Sequence, residues 1–185
     1  VWAIATLCNT GSARALDYVY KRLRTPVDLG DLSFLAWHCQ GFGEPSMPAY
    51  LEDLAVEALR GDPLPWKNRD GELPVRVMTK YLEFMLKQFV FLGHSIRKDL
   101  MECIVEFDEP KPIAFGLQVW QPASREEAAE LLRPLLSPDT ERPPNLRKAI
   151  LVFLERRFPD ECPLPDLETP DPEEDWEPVM RWLMR

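Results

Sequence analysis

Residues 75–100 read VRVMTKYLEFMLKQFVFLGHSIRKDL, and the fold class turns on this stretch. Met78, Leu82, Met85, Phe89, Leu92 and Ile96 step by four, three, four, three and four, and the seam continues to Leu100. That is the period of a helix burying one stripe. Phe84, Leu86, Val90 and Phe91 lie off the seam, so apolar residues cover much of the circumference. Such a helix belongs at the centre of a core. Glu83 and Lys87 stand four apart in the favourable order, which adds roughly 0.3–0.5 kcal/mol to a helix. Gly93 interrupts the run and marks a kink or a close contact, at a cost near 1 kcal/mol relative to Ala.

On the N-terminal side, Ser46 caps a helix with Pro48 near its start. Tyr50, Leu51, Leu54, Ala55, Ala58 and Leu59 form its apolar stripe, and Gly61-Asp62-Pro63 ends it. A proline-bounded loop carrying Trp66 leads to Val75. On the C-terminal side the period changes. Met101, Cys103, Val105 and Phe107 alternate with Glu102, Ile104 and Glu106, and a second alternation covers Ile113 to Trp120. With Asp108-Glu109-Pro110-Lys111-Pro112 between them, the two runs predict a small β-hairpin near 101–120. Leu100, Cys103, Ile104 and Phe107 also fit one long helix from Val75 to Phe107. Ser124-Arg125-Glu126-Glu127 is a capping box before Ala128, Leu131, Leu132 and Leu135. Asn145 is the expected cap of the next helix, whose end carries Arg156 and Arg157.

The first 24 residues predict a helical hairpin. Ala3-Ile4-Ala5-Thr6-Leu7-Cys8 is followed by the turn Asn9-Thr10-Gly11-Ser12 and by Ala13-Arg14-Ala15-Leu16. This segment resembles a single HEAT-like repeat. The resemblance implies a helical scaffold that presents a binding surface, and no chemistry. No second copy follows: Asp31 to Gln40 predicts another apolar helix, but Gly41-Phe42-Gly43 and Pro45 break the repeat. The expected architecture is therefore mainly α, a HEAT-like helical-hairpin bundle over residues 1–158. An acidic, Pro-rich linker over 159–178 and a short helix over 179–185 complete it. The first residues read as mid-helix without an N-cap or an initiator Met, which predicts a piece of a longer parent chain.

Charge sharpens the functional reading. The net charge of −9 equals the nine acids of residues 159–178, a stretch without Lys or Arg, so the remaining chain is formally neutral. An acidic, Pro-rich segment repels nucleic acid and anionic lipid and suits a basic protein partner. The 19 prolines, against roughly 9 at ordinary usage of about 5%, belong largely to the loops and this segment. No run reaches the length of a membrane-spanning helix. The four cysteines, Cys8, Cys39, Cys103 and Cys162, form no CxxC pair and no compact framework, which predicts a reducing cytoplasm.

Motifs for chemistry are sparse. The two histidines, His38 and His94, exclude a His-rich metal site, and no pair with Cys39 or Cys103 has zinc-finger spacing. There is no phosphate loop, dinucleotide fingerprint, HExxH or GxSxG. No catalytic residue, cofactor or metal is expected. The expected function is a non-catalytic protein-binding adaptor or scaffold module. Its expected contact residues are Trp66, Trp176, Trp182, Glu173, Glu174 and Asp175. Tryptophan dominates interface hot spots, and the acids would clamp a basic partner. The first alternative is an acidic inhibitor or immunity-type protein that neutralises a basic toxin or nuclease. A further alternative is an enzyme of an unrecognised family, with a pocket near His38, Cys39 or His94 and convergent carboxylates. Oligomeric state is left open.

Overall fold

A computed structural model describes residues 46–61, 75–136, 142–159 and 176–183, together with Arg14, Asp17, Tyr18 and Lys21, which are helical. Among the described residues there are seven α-helices, one 3-10 turn and no strand. The protein is mainly α. The HEAT-like hairpin, apart from those four positions, and Trp66, Glu173, Glu174 and Asp175 lie outside the described residues.

The chain divides into two compact units, Val1–Val119 and Trp120–Arg185. The first holds α1 (Ser46–Leu59), α2 (Val75–Leu92), α3 (Lys98–Phe107) and α4 (Pro110–Val119). Helix α1 packs on α2 and α3, and α4 packs on α2 and α3. The seam read from the sequence is the buried face of α2: Met78, Leu82, Met85 and Phe89 are shielded from solvent, as are Tyr81 and Leu86 beside it. Leu51, Leu54, Ala55 and Ala58 bury the matching stripe of α1. The Tyr81 hydroxyl donates to the Leu51 carbonyl at 3.1 Å, so the one polar atom of this large buried ring is satisfied.

The helix that starts at Val75 stops at Leu92, so neither the run to Leu100 nor the single helix to Phe107 forms. Gly93 takes φ +66°, a left-handed conformation in which a Cβ would be strained. The Gly93 amide donates to the Val90 carbonyl (3.3 Å) and the His94 amide to the Phe89 carbonyl (2.9 Å). This pair of bonds is a Schellman closure, which satisfies carbonyls the helix end would otherwise leave open.

The β-hairpin expected near 101–120 is two helices, α3 and α4. Its apolar residues fit both periods, and packing selected the helical one. Leu100, Met101, Cys103 and Ile104 are buried along α3, and Ile113, Gly116 and Leu117 along α4. The proline-rich turn ends one helix and opens the next. Asp108 adopts φ 60° and its amide donates to the Val105 carbonyl at 3.1 Å. Pro110 and Pro112 then occupy the first turn of α4, where amide hydrogens have no intrahelical acceptor. Gly116 permits close approach of the two helices: a Cβ there would lie 2.8 Å from the Met101 sulfur.

The second unit holds α5 (Arg125–Leu132), a 3-10 turn (Arg133–Leu135), α6 (Pro144–Arg157) and α7 (Trp176–Leu183). The Ser124 cap forms, with its reciprocal bond one residue earlier than a capping box places it. Ser124 Oγ accepts from the Glu127 amide at 3.3 Å, while the Glu127 carboxylate reaches back to the Ala123 amide at 2.7 Å. Asn145 is not the cap of α6, because Pro144 is already its first helical residue and Pro143 holds the cap position. Proline's preset φ suits that first position better than an amide-donating residue. Trp120 stacks on Phe153 with ring centroids 5.6 Å apart. Helix α7 packs on α5, burying Val179, Trp182 and Leu183.

Candidate functional site

Ionisable groups converge at one place in the first unit, where the chain passes from α2 to α3. The Schellman closure turns the backbone out of α2 at Gly93, and the Ile96 amide donates to the Val119 carbonyl at 3.2 Å. The connector is thus held at both ends, and it presents His94 and Arg97 to α1. Glu52 meets them from α1. Its side chain is 1% exposed, the one buried charged residue among those described. One carboxylate oxygen lies 2.5 Å from His94 Nε2. The other accepts from the Arg97 amide at 3.0 Å and lies 3.7 Å from its Nε. A carboxylate only accepts, so His94 Nε2 carries the proton of the shared bond. The His94 ring also meets Phe89 edge to face at 4.6 Å.

Arg97 spans the outer side of this node. Its guanidinium reaches Asp53 at 2.7 Å and Asp99 at 3.1 Å. Burial works against its positive charge, but the hydrogen bond to Asp53 and the neighbouring Asp99 and Asp53 charges outweigh that and raise its pKa. Asp99 also accepts from the Leu100 amide at 2.9 Å, within the first turn of α3. An acid in the first turn of a helix is favourably placed for the dipole. The arrangement ties α1 to the connector and to the start of α3. It anchors one end of the four helices α1 to α4. Among the described residues no group of three or more His, Cys, Asp or Glu side chains could hold a metal ion.

Beside this node the surface is apolar. The last turn of α2 exposes Val90, Phe91 and Leu92, and Phe91 is 85% exposed. Val90 and Phe91 fall on the side of α2 away from the seam. Leu92 belongs to the seam by spacing, but it is exposed at the helix end.

Trp182 is buried in the second unit. Its ring packs edge to face on Phe158 at 5.6 Å, with the Arg125 guanidinium 5.6 Å from its centroid. Trp176 opens α7, and its side chain lies outside what is described, as do His38 and Cys39. Cys103 is a buried free thiol on α3 whose pKa is raised by burial, an effect that Arg60 partly opposes. His94 was legible as a residue of interest. Glu52 was not, because it follows Leu51 inside an apolar stripe and its partner lies 42 residues away. Phe91 was legible only as lying off the seam.

No helix among the described residues is long and apolar enough to cross a membrane. No family model, curated protein or solved structure matches the chain.

Proposed function

We propose that the chain is a protein-binding module, an adaptor or scaffold piece. The observation that carries this reading is the exposed trio Val90-Phe91-Leu92 at the end of α2. Single exposed apolar residues are ordinary, whereas three in one last turn, led by a nearly naked Phe, mark a helix end as a contact surface. Covering one such ring contributes roughly 1.5–3 kcal/mol to an association. The rigid node of Glu52, His94 and Arg97 next to it supports the same reading, because an anchored helix end presents the ring with little ordering cost. The HEAT-like resemblance of residues 1–24 points in the same direction.

The test is capture from native lysate by the full chain and by a Phe91→Ser variant, at low and high salt. The expected result is a stoichiometric protein that the wild type retains and the variant loses. Equal capture by both would overturn the placement of the surface, and no stoichiometric partner would overturn the binding reading. A partner that survives Phe91→Ser but leaves at high salt would instead favour the acidic stretch of residues 159–178, with Glu173, Glu174 and Asp175, as a clamp for a basic protein.

A further inference from the structure

The side of α2 opposite its buried seam carries a charge of its own. At 100° per residue, Arg76, Lys80, Glu83, Lys87, Val90 and Phe91 fall in one stripe, centred opposite Met78, Met85 and Phe89. All but Glu83 are exposed. Glu83 is largely covered, 3.8 Å from the Lys111 ammonium on α4, which is itself exposed. Lys87 lies over the Phe115 ring of α4 at 4.8 Å, so its amine is held against the α2–α4 surface by a cation–π contact. The outer face of this helix pair therefore presents four cations against one carboxylate, in a chain of net charge −9. The stripe runs about 22 Å from Arg76 to Phe91, at about 1.5 Å per residue.

We infer that this stripe is the docking face of an acidic amphipathic protein segment, which lays carboxylates along Arg76, Lys80 and Lys87 and covers Phe91 with an apolar side chain. The inference rests on the protein-binding reading above and names the partner's chemistry. Two observations argue for it. The first is charge complementarity: Arg76, Lys80, Lys87 and Lys111 stand against one carboxylate, so the row attracts an acidic segment, and Phe91 at its end suits an apolar side chain of that segment. The second is size. One helix face about 22 Å long matches the length of an added helix of about 15 residues. Recognition would lay one amphipathic helix along another, with Phe91 as the aromatic anchor and the flanking charges setting register and approach rate.

The test uses the full chain and a fluorescein-labelled, helix-stabilised peptide of about 15 residues, the length of the stripe. It carries Glu at helical spacing on one face and Leu and Trp beside it. A second peptide replaces every Glu by Lys. Fluorescence anisotropy at low salt should show saturable binding of the Glu peptide and none of the Lys peptide. Lys80→Glu with Lys87→Glu should weaken binding about tenfold or more, and Phe91→Ser about fivefold or more. Lys87→Glu also gives up the Phe115 cation–π contact and stands four residues from Glu83, so the melting temperature is read alongside and should fall only slightly, with the folded state retained. Lys80→Gln with Lys87→Gln serves should the reversal disturb folding, with a smaller loss in the same direction. The inference is overturned by any of three results: no binding at millimolar Glu peptide, equal binding of the Lys peptide, or undiminished binding by the lysine variants. Binding of single-stranded RNA or of phosphatidylserine vesicles, lost on the same lysine substitutions and unmatched by the peptide, would overturn it in favour of that polyanion. Loss of a lysate partner on Phe91→Ser, without any effect of the lysine variants, would leave the binding reading standing and remove the acidic partner.

Discussion

Glu52→Ala tests the node that organises the first unit. The wild-type carboxylate receives two hydrogen bonds, from His94 Nε2 at 2.5 Å and from the Arg97 amide at 3.0 Å, while buried on α1. Hydrogen bonds to a charged group contribute about 1.5–3 kcal/mol each, so the gross loss is roughly 3–6 kcal/mol. Relief of the cost of burying a carboxylate offsets part of this, and the space left by the side chain adds to it. The expected net loss is about 3 kcal/mol. Asp53→Ala is the matched control. It removes the same charge one residue along the helix, but from a half-exposed ion pair with Arg97, and should cost only about 0.2–1 kcal/mol. Urea unfolding followed by circular dichroism measures both, with a difference of about 1 M in midpoint at a slope of about 2 kcal/mol/M. Amide exchange should show the loss in α1 and the start of α3. Glu52→Gln, which keeps the shape and can still accept from the Arg97 amide, should fall between the two. The reasoning fails if Glu52→Ala costs no more than Asp53→Ala. It also fails if His94→Ala costs as much in the Glu52→Ala background as in the wild type, since the double-mutant cycle would then show no coupling.

Gly93→Ala should destabilise by about 1 kcal/mol through its left-handed φ alone, because nothing lies within 4 Å of the added methyl; an unchanged thermal midpoint would contradict this. The Cys103 thiol, held neutral by burial, should resist iodoacetamide near neutral pH and react once urea unfolds the chain, as read by mass spectrometry of its peptide. Its raised pKa also sets a sign: this contribution to stability is complete below the ordinary thiol value of 9.0 and declines as pH rises above it. Trp182→Ala should cost about 3 kcal/mol in the second unit, since the ring is buried against Phe158 and Arg125; differential scanning calorimetry would show it as a lowered transition.

Residues 75–89 show what was legible without coordinates. A seam of apolar side chains at helical spacing has one face that avoids water, and Met78, Leu82, Met85 and Phe89 occupy it. The cap at Ser124 was legible for the same local reason: its bonds join residues three and four apart. Residues 101–120 show the opposite case. Their apolar positions satisfy a strand's period and a helix's period together, and no local feature separates the two. The partners on α1 and α2 do, because Leu100, Met101, Ile104, Ile113 and Leu117 share a core only as helices.

The candidate site divides along the same line. His94 and the tryptophans drew attention by residue type, but type says nothing about surroundings. Trp182 is buried on its own unit, and among the described residues the most exposed large apolar side chain is Phe91, which composition does not distinguish from any other Phe. The sequence by itself determined the mainly helical class, the buried seam of residues 78–89, the cap at Ser124, and the concentration of negative charge in residues 159–178, because these depend on side-chain period, local hydrogen bonds and composition. Tertiary structure alone decided that Glu52 meets His94 and Arg97 across more than forty residues, that Gly116 lies against Met101, and that the cations of α2 and α4 share one face. Those juxtapositions depend on how helices pack in space, and the order of residues along a chain carries no distance between elements that meet only after folding.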